Sequence, residues 1–224
     1  MSTRTTVVIV LVLLLASALA GLLLWNRLPD PMASHWDIND QVNGTMPRFW
    51  GVFLMPLISL GMLLLFLLIP AIDPLKGNIA RFRGVFNLFI AFIMLFMVYI
   101  YGLTLAWNLG FTQFKMSTSL LPAMGLLFIL IGIMLRKARR NFFIGIRTPW
   151  TLSSDKVWDE THRLGGWLFA GSGLLAILGS FFGGMTAFLF LLIPLIGSTI
   201  FLVVYSYLLY VRETRSSGDQ DDRS

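Results

Sequence analysis

The chain has no cysteine among its 224 residues. That absence excludes a disulfide framework, a thiol nucleophile and any Cys-based metal site, and it leaves the redox compartment open. Charge is scarce as well: Asp, Glu, Lys and Arg make up 12% of the sequence, and all 11 acidic residues, all 17 basic residues and both histidines fall outside the long apolar runs. Proton- and ion-coupled carriers place an ionisable group within a span, where the moving charge needs a partner. Ion-coupled transport is therefore disfavoured, whereas passage of a neutral substrate stays compatible with the sequence. Also missing are a His-Glu-x-x-His zinc pair, a Gly-x-Ser-x-Gly elbow and a phosphate loop ending in Gly-Lys-Ser/Thr. No catalytic residue, cofactor or metal is assigned, and the chain is expected not to be an enzyme.

Apolar residues are what the sequence has in abundance. They make up 57% of the chain, and the mean hydropathy is +0.80, more apolar surface than a soluble core of this size can bury. The fold class is all-α, a polytopic membrane protein surrounded by the lipid bilayer. A helix needs about 20 mostly apolar residues to cross the hydrocarbon layer. Residues 7–25, 49–72, 85–107 and 116–135 each supply one crossing, with Pro56, Pro70 and Pro122 tolerated inside. Residues 164–211 carry no charge and are too long for one crossing, so they fold back at Gly183-Gly184 into spans at 164–182 and 186–211. Six spans put both termini on one side. Fourteen of the 17 Lys and Arg fall in the termini and loops of that side, which makes it cytoplasmic by the positive-inside rule. The formal charge of +6 is thus read as topology, with no direct nucleic-acid binding. One alternative concerns span one: Ala18-Leu19-Ala20 behind an apolar run resembles a signal-peptide cleavage site, but the run continues to Trp25, which favours a retained anchor.

Three regions follow. Residues 1–84 form a two-span region with an ordered external loop at 26–48. Residues 85–211 form a four-span region with a cytoplasmic loop at 136–166, and residues 212–224 an acidic tail too polar to order. In the external loop, Pro29, His35, Trp36, Asn43 and Gly44 stand out, Asn43-Gly44 being a signal for a tight type I′ reversal. His35, Asp37, Asp40 and Asn43 do not have the spacing of a calcium loop, and His35 and Trp36 are assigned to packing at the headgroup layer.

The inner loop opens with Arg136, Lys137, Arg139 and Arg140, whose charges suffice to hold the preceding span against an anionic leaflet. Gly145 permits a bend, Pro149 pushes Thr148 out of helical geometry, and Ser154 with Asp155 starts a new helix. On that helix Asp155, Asp159, His162 and Gly166 share one face. Such a face could be a recognition or proton-sensing surface. Spacing alone favours an interfacial helix instead, anchored by Trp158 and stabilised by an Asp159–Arg163 pair. Gly179 and Gly183 form one Gly-x-x-x-Gly, assigned to the turn rather than to helix packing.

The run Asn141-x-x-x-Gly145-Ile146-Arg147-Thr148-Pro149, followed by Trp158, Thr161-His162 and Gly166, resembles the signature of SdpI-type membrane proteins. Pro29, His35-Trp36 and Asn43-Gly44, with their flanking spans, resemble the small domain of unknown function that often precedes that signature. Asp40 departs from this outer pattern, which usually has glycine there. The resemblance implies a helical membrane protein of the cell membrane that binds rather than catalyses. Its implied partners are a secreted toxin peptide, against which it confers immunity, and a cytoplasmic transcriptional repressor held at the membrane. A small transporter or membrane enzyme for a neutral or lipid substrate is the competing expectation.

Overall fold

The computed structural model describes residues 1–221, with side chains through Ser216. Helix α1 (Thr3–Leu24) opens on a Ser2 cap whose side chain accepts the Thr5 N–H, and a 3₁₀ turn leads to strands β1 (Met32–Trp36) and β2 (Val42–Met46). Helix α2 (Arg48–Ile72), the short α3 (Lys76–Arg81) and α4 (Arg83–Asn108) follow. Then come α5 (Met116–Leu135), the five-residue α6 (Pro149–Ser153), α7 (Asp155–Gly179) and α8 (Gly184–Asp221).

Among the described residues, α1, α2, α4, α5 and α8 are long and apolar enough to cross a membrane. The chain is a multi-pass membrane protein. The segment expected to cross at 164–182 coincides with most of α7, whose charged first turns and many glycines make it less apolar than the other five. Those glycines let it pack centrally against α5 and α8. A Cβ at Gly125 would lie 2.5 Å from the Gly173 carbonyl oxygen, and one at Gly132 would collide with that of Gly166. The two pairs are each seven residues apart, so one seam of bare backbone runs along the α5–α7 contact. Gly179 also packs, its missing Cβ making room for Phe190 of α8, whereas Gly183 and Gly184, at φ of 72° and 51°, make the turn. Helix α4 touches α1, α2 and α5 and so joins the two expected regions.

Two expectations need correction. The hairpin does not reverse at Asn43-Gly44: Gly44 sits within β2, opposite His35. The reversal is at Asp37–Gln41, where the Asp37 carboxylate accepts the Asn39 and Gln41 N–H groups at 2.8 and 2.9 Å and Asp40 takes a φ of 61°. An aspartate capping its own backbone outcompetes the Asn-Gly signal, and Gly44 is used instead for close approach, since a Cβ there would press on the His35 Cβ. The segment from Arg212, expected to be disordered, continues α8 as far as Asp221. Extending an existing helix avoids the cost of nucleation, and Glu213 is held by the Ser154 hydroxyl at 2.6 Å. Residues 222–224 of that tail lie outside the described residues.

Candidate functional site

The inner motif folds into a knot around Asn141, which is completely buried. Its Nδ2 donates to the carbonyls of Arg139 and Ile144 at 2.8 and 2.9 Å, and its Oδ1 accepts the N–H groups of Phe143 and Ile144 at 3.0 and 2.7 Å. Only a carboxamide offers two donors and an acceptor on so short a stem. The loop then turns at Gly145, whose φ of 119° excludes other residues and where a Cβ would strike the His162 Nε2. Ile146 N–H donates to that same Nε2 at 2.9 Å. The imidazole proton therefore sits on Nδ1, 2.8 Å from the Trp158 carbonyl.

This geometry decides between the two readings of the His162 face. A second proton on Nε2 would face the Ile146 N–H, and burial, outweighing a smaller upward pull from the hydrogen bond to the Trp158 carbonyl, pushes the imidazole pKa down to about 4. His162 is a neutral strut near neutral pH, not a proton sensor. Its ring stacks on Trp158 with centroids 3.9 Å apart, and Trp158, 0% exposed, donates its indole N–H to the Ala138 carbonyl at 3.1 Å. Trp158 is thus a core residue rather than an interfacial anchor. It packs in one cluster with Val10 and Leu14 of α1, Phe86 of α4 and Met134 of α5, where both halves of the molecule meet.

The remaining motif residues have separable roles. Thr148 caps α6 in a reciprocal capping box with Thr151, and Trp150 donates to the Ser206 hydroxyl of α8. Gly166 lies against Gly132 and Arg136 in the seam. Arg147 stands apart: it is exposed and donates to the Phe142 carbonyl at 2.7 Å. The basic run is spent differently from expectation. Arg139 pairs with Asp159 at 2.8 Å and Arg140 with Asp155 at 2.7 Å, so Asp159 answers Arg139 rather than Arg163. Arg136 lies over the Trp167 ring, 4.3 Å from its centroid.

At the other end, the hairpin is strapped onto the helices by side chains clasping backbone. Asn108 of α4 accepts the Ala33 N–H at 2.7 Å and donates to the Ala33 carbonyl at 2.9 Å, completing β1 as a neighbouring strand would. Asp40 reaches α5, its carboxylate accepting both the backbone N–H and the hydroxyl of Ser117 at 2.8 Å, an N-terminal cap supplied from another element. The left-handed Asp40 occupies the position where the outer pattern usually has glycine, and its backbone shows why glycine suits that place. Asp30 caps α2 through the Arg48 N–H at 3.1 Å, and Arg48 Nε donates to the Pro29 carbonyl at 3.4 Å. His35 Nδ1 meets Asn43 Oδ1 at 2.5 Å, and Trp36 stacks edge-on against Trp107. The carboxylates of Asp37 and Asp40 are taken by different partners, and no group of three or more His, Cys, Asp or Glu converges on a metal among the described residues. Beneath the hairpin lies a cavity of about 590 Å³ between α2, α4 and α5, walled by Trp36, Trp50, Leu54, Met116 and Leu120.

Sequence patterns missed the residues that fasten loops to one another. Asp73 accepts the Phe142 N–H at 2.9 Å and Asn78 donates to the Arg140 carbonyl at 2.8 Å, clamping the α2–α3 connection to the motif loop. Asp73, like Asn108, is a lone polar residue at the end of an apolar run, and that placement was the available signal; Asn78 sits among charged neighbours and had none.

The comparisons with known proteins fall on the two motifs. The model of the SdpI/YfhL protein family matches residues 137–206, the motif loop with α6, α7 and most of α8. A domain of unknown function, DUF1648, matches residues 12–60, which hold the hairpin between the end of α1 and the first half of α2. Immunity protein SdpI of Bacillus subtilis (strain 168) is 24% identical over 204 residues, covering 91% of this chain and 95% of that protein. No solved structure matches. The chain therefore resembles SdpI-type proteins in both motifs, in their order and over nearly its whole length.

Proposed function

We propose that this protein confers immunity at the cell membrane by binding a secreted antimicrobial peptide, without catalysis. The observation that carries this is the similarity to an immunity protein across 95% of that protein's length. In this proposal the part of α7 from residue 164 onward is a sixth crossing, both termini are cytoplasmic, the hairpin end faces outward and the motif end, with the first turns of α7, faces inward. A peptide arriving from outside would meet the strapped hairpin and the apolar cavity under it, a volume within the range of about 300–1,000 Å³ typical of ligand sites. The motif end would present a fixed surface, Arg147 included, to a cytoplasmic repressor. The cavity is also what a carrier or membrane enzyme for a neutral or lipid substrate would use, so the two readings divide on outcome rather than on shape.

Expression in a toxin-sensitive host is expected to raise survival, and Arg147→Ala to remove that protection at unchanged membrane abundance. Arg147 is the right position because it is exposed, whereas Trp158 is core and its loss would lower abundance by itself. Unchanged survival with the intact protein across a panel of secreted toxins would overturn immunity. Orientation is tested separately: a cysteine at exposed Asn39 should react with an impermeant thiol reagent in intact cells, and one at exposed Ser153 only after lysis.

A further inference from the structure

A second cavity, of about 370 Å³, opens at the motif end between α3 with the start of α4 and the end of α5. Four cations wall it: Arg81, Arg136, Lys137 and Arg139. The one acid on the wall, Asp159, is already paired with Arg139, and His162 beside it is neutral. Arg136 is held over Trp167, so two of the cations are fixed in place. The side chains of Arg81 and Lys137 make no hydrogen bond or ion pair among the described residues. Three uncompensated positive charges around one concavity repel one another unless an anion enters.

The floor says which anion. Phe82 and Leu135 line it, and they continue into α4 and α5, both apolar enough to cross a membrane. A soluble anion gains nothing from such a floor, whereas a phospholipid places its phosphate among guanidinium and ammonium groups while its chains follow the helices. Guanidinium groups match phosphate oxygens two at a time, and the lysine adds a compact charge.

We infer that this cavity binds the phosphate headgroup of an anionic membrane lipid, bridging the N-terminal helices to the motif loop. The site goes beyond the proposed immunity and does not depend on it. The test uses the full-length protein in an uncharged detergent at fixed ionic strength, with its thermal unfolding midpoint followed during titration. Dioctanoyl phosphatidylglycerol is expected to raise the midpoint saturably, while dioctanoyl phosphatidylcholine and inorganic phosphate leave it in place. The exposed pair Arg81→Gln with Lys137→Gln should weaken the apparent affinity by about thirtyfold, the loss expected for two headgroup-facing cations. The pair Arg212→Gln with Arg215→Gln, equal in charge and not on the cavity wall, should change it less than about twofold, near the limit for screened surface charges. An equal response to phosphatidylcholine, an equal response to inorganic phosphate, or equal weakening by both pairs would each overturn the assignment.

Discussion

The two ends of the molecule are built on opposite plans. At the motif end the apolar interior is filled: Asn141, Trp158 and His162 are buried and hydrogen-bonded, apolar side chains from both halves close around them, and the cavity beside them is walled largely by charged groups. At the hairpin end the polar groups are used as straps, Asn108 and Asp40 reaching across to the backbone of other elements, and a cavity of about 590 Å³ is left between them. A filled end transmits position, and a strapped hollow end leaves room for something to enter. The difference is one of build, a packed platform at one end and an open receptacle at the other.

The largest expected effect tests the filled end. Trp158→Ala removes a fully buried ring, its stack on His162 and its bond to Ala138, and should cost about 3–5 kcal/mol, whereas Leu120→Ala enlarges a cavity already present and should cost well under about half of that. Unfolding of the purified protein in detergent by denaturant would measure both. Equal losses would erase the contrast between the ends.

Next comes the pH dependence of that end. The His162 pKa in the folded protein is about 4, below the unfolded value of about 6.5. Between those values the unfolded chain holds the extra proton, so His162's contribution to stability is fully present above about pH 6.5, declines as pH falls and levels off below about pH 4. The whole change is on the order of 3 kcal/mol. A His162→Asn variant should show a shallower decline in unfolding midpoint over the same interval, and an unchanged slope would mean the imidazole is not held neutral.

The smallest effect sharpens the hairpin end. Asp40→Ala removes the cap from α5 and leaves an alanine in left-handed backbone, for about 1–2 kcal/mol. Asp40→Gly loses the cap but relieves the backbone, and should be the milder of the two. Hydrogen exchange is expected to quicken in Val42–Met46 in both variants while the motif loop stays protected. Exchange that quickens equally at both ends would show that the straps and the knot are one cooperative unit.

The spans were legible because apolar runs of membrane length permit few alternatives: the runs at 49–72 and 116–135 coincide with α2 and α5 to within a residue. Local chemistry was equally plain where one residue acts alone, as with the Gly183-Gly184 turn and the Ser154 cap, whose side chain accepts the Val157 N–H. What hid was pairing at a distance. The Gly125–Gly173 and Gly132–Gly166 contacts join residues with no local pattern in common, and the glycines that make α7 central also make it look less like a span. Arg139 and Arg140 looked like membrane anchors because their partners, Asp159 and Asp155, lie a turn and a helix further along the chain. The motif residues were found by resemblance, but the neutral state of His162 rests on burial, and its tautomer on an N–H from Ile146, both of which only the folded loop supplies.

The turn between α7 and α8 has a practical use. Nothing lies within 4 Å of where a Cβ would stand on Gly183 or Gly184, so extra chain at this corner between two long helices meets no packed neighbour there. It is a natural port for engineering: an epitope or fluorescent label spliced there would ride on the fold without wedging apart the seam below it, and would report from the hairpin side of the molecule while the knot at the far end stays untouched.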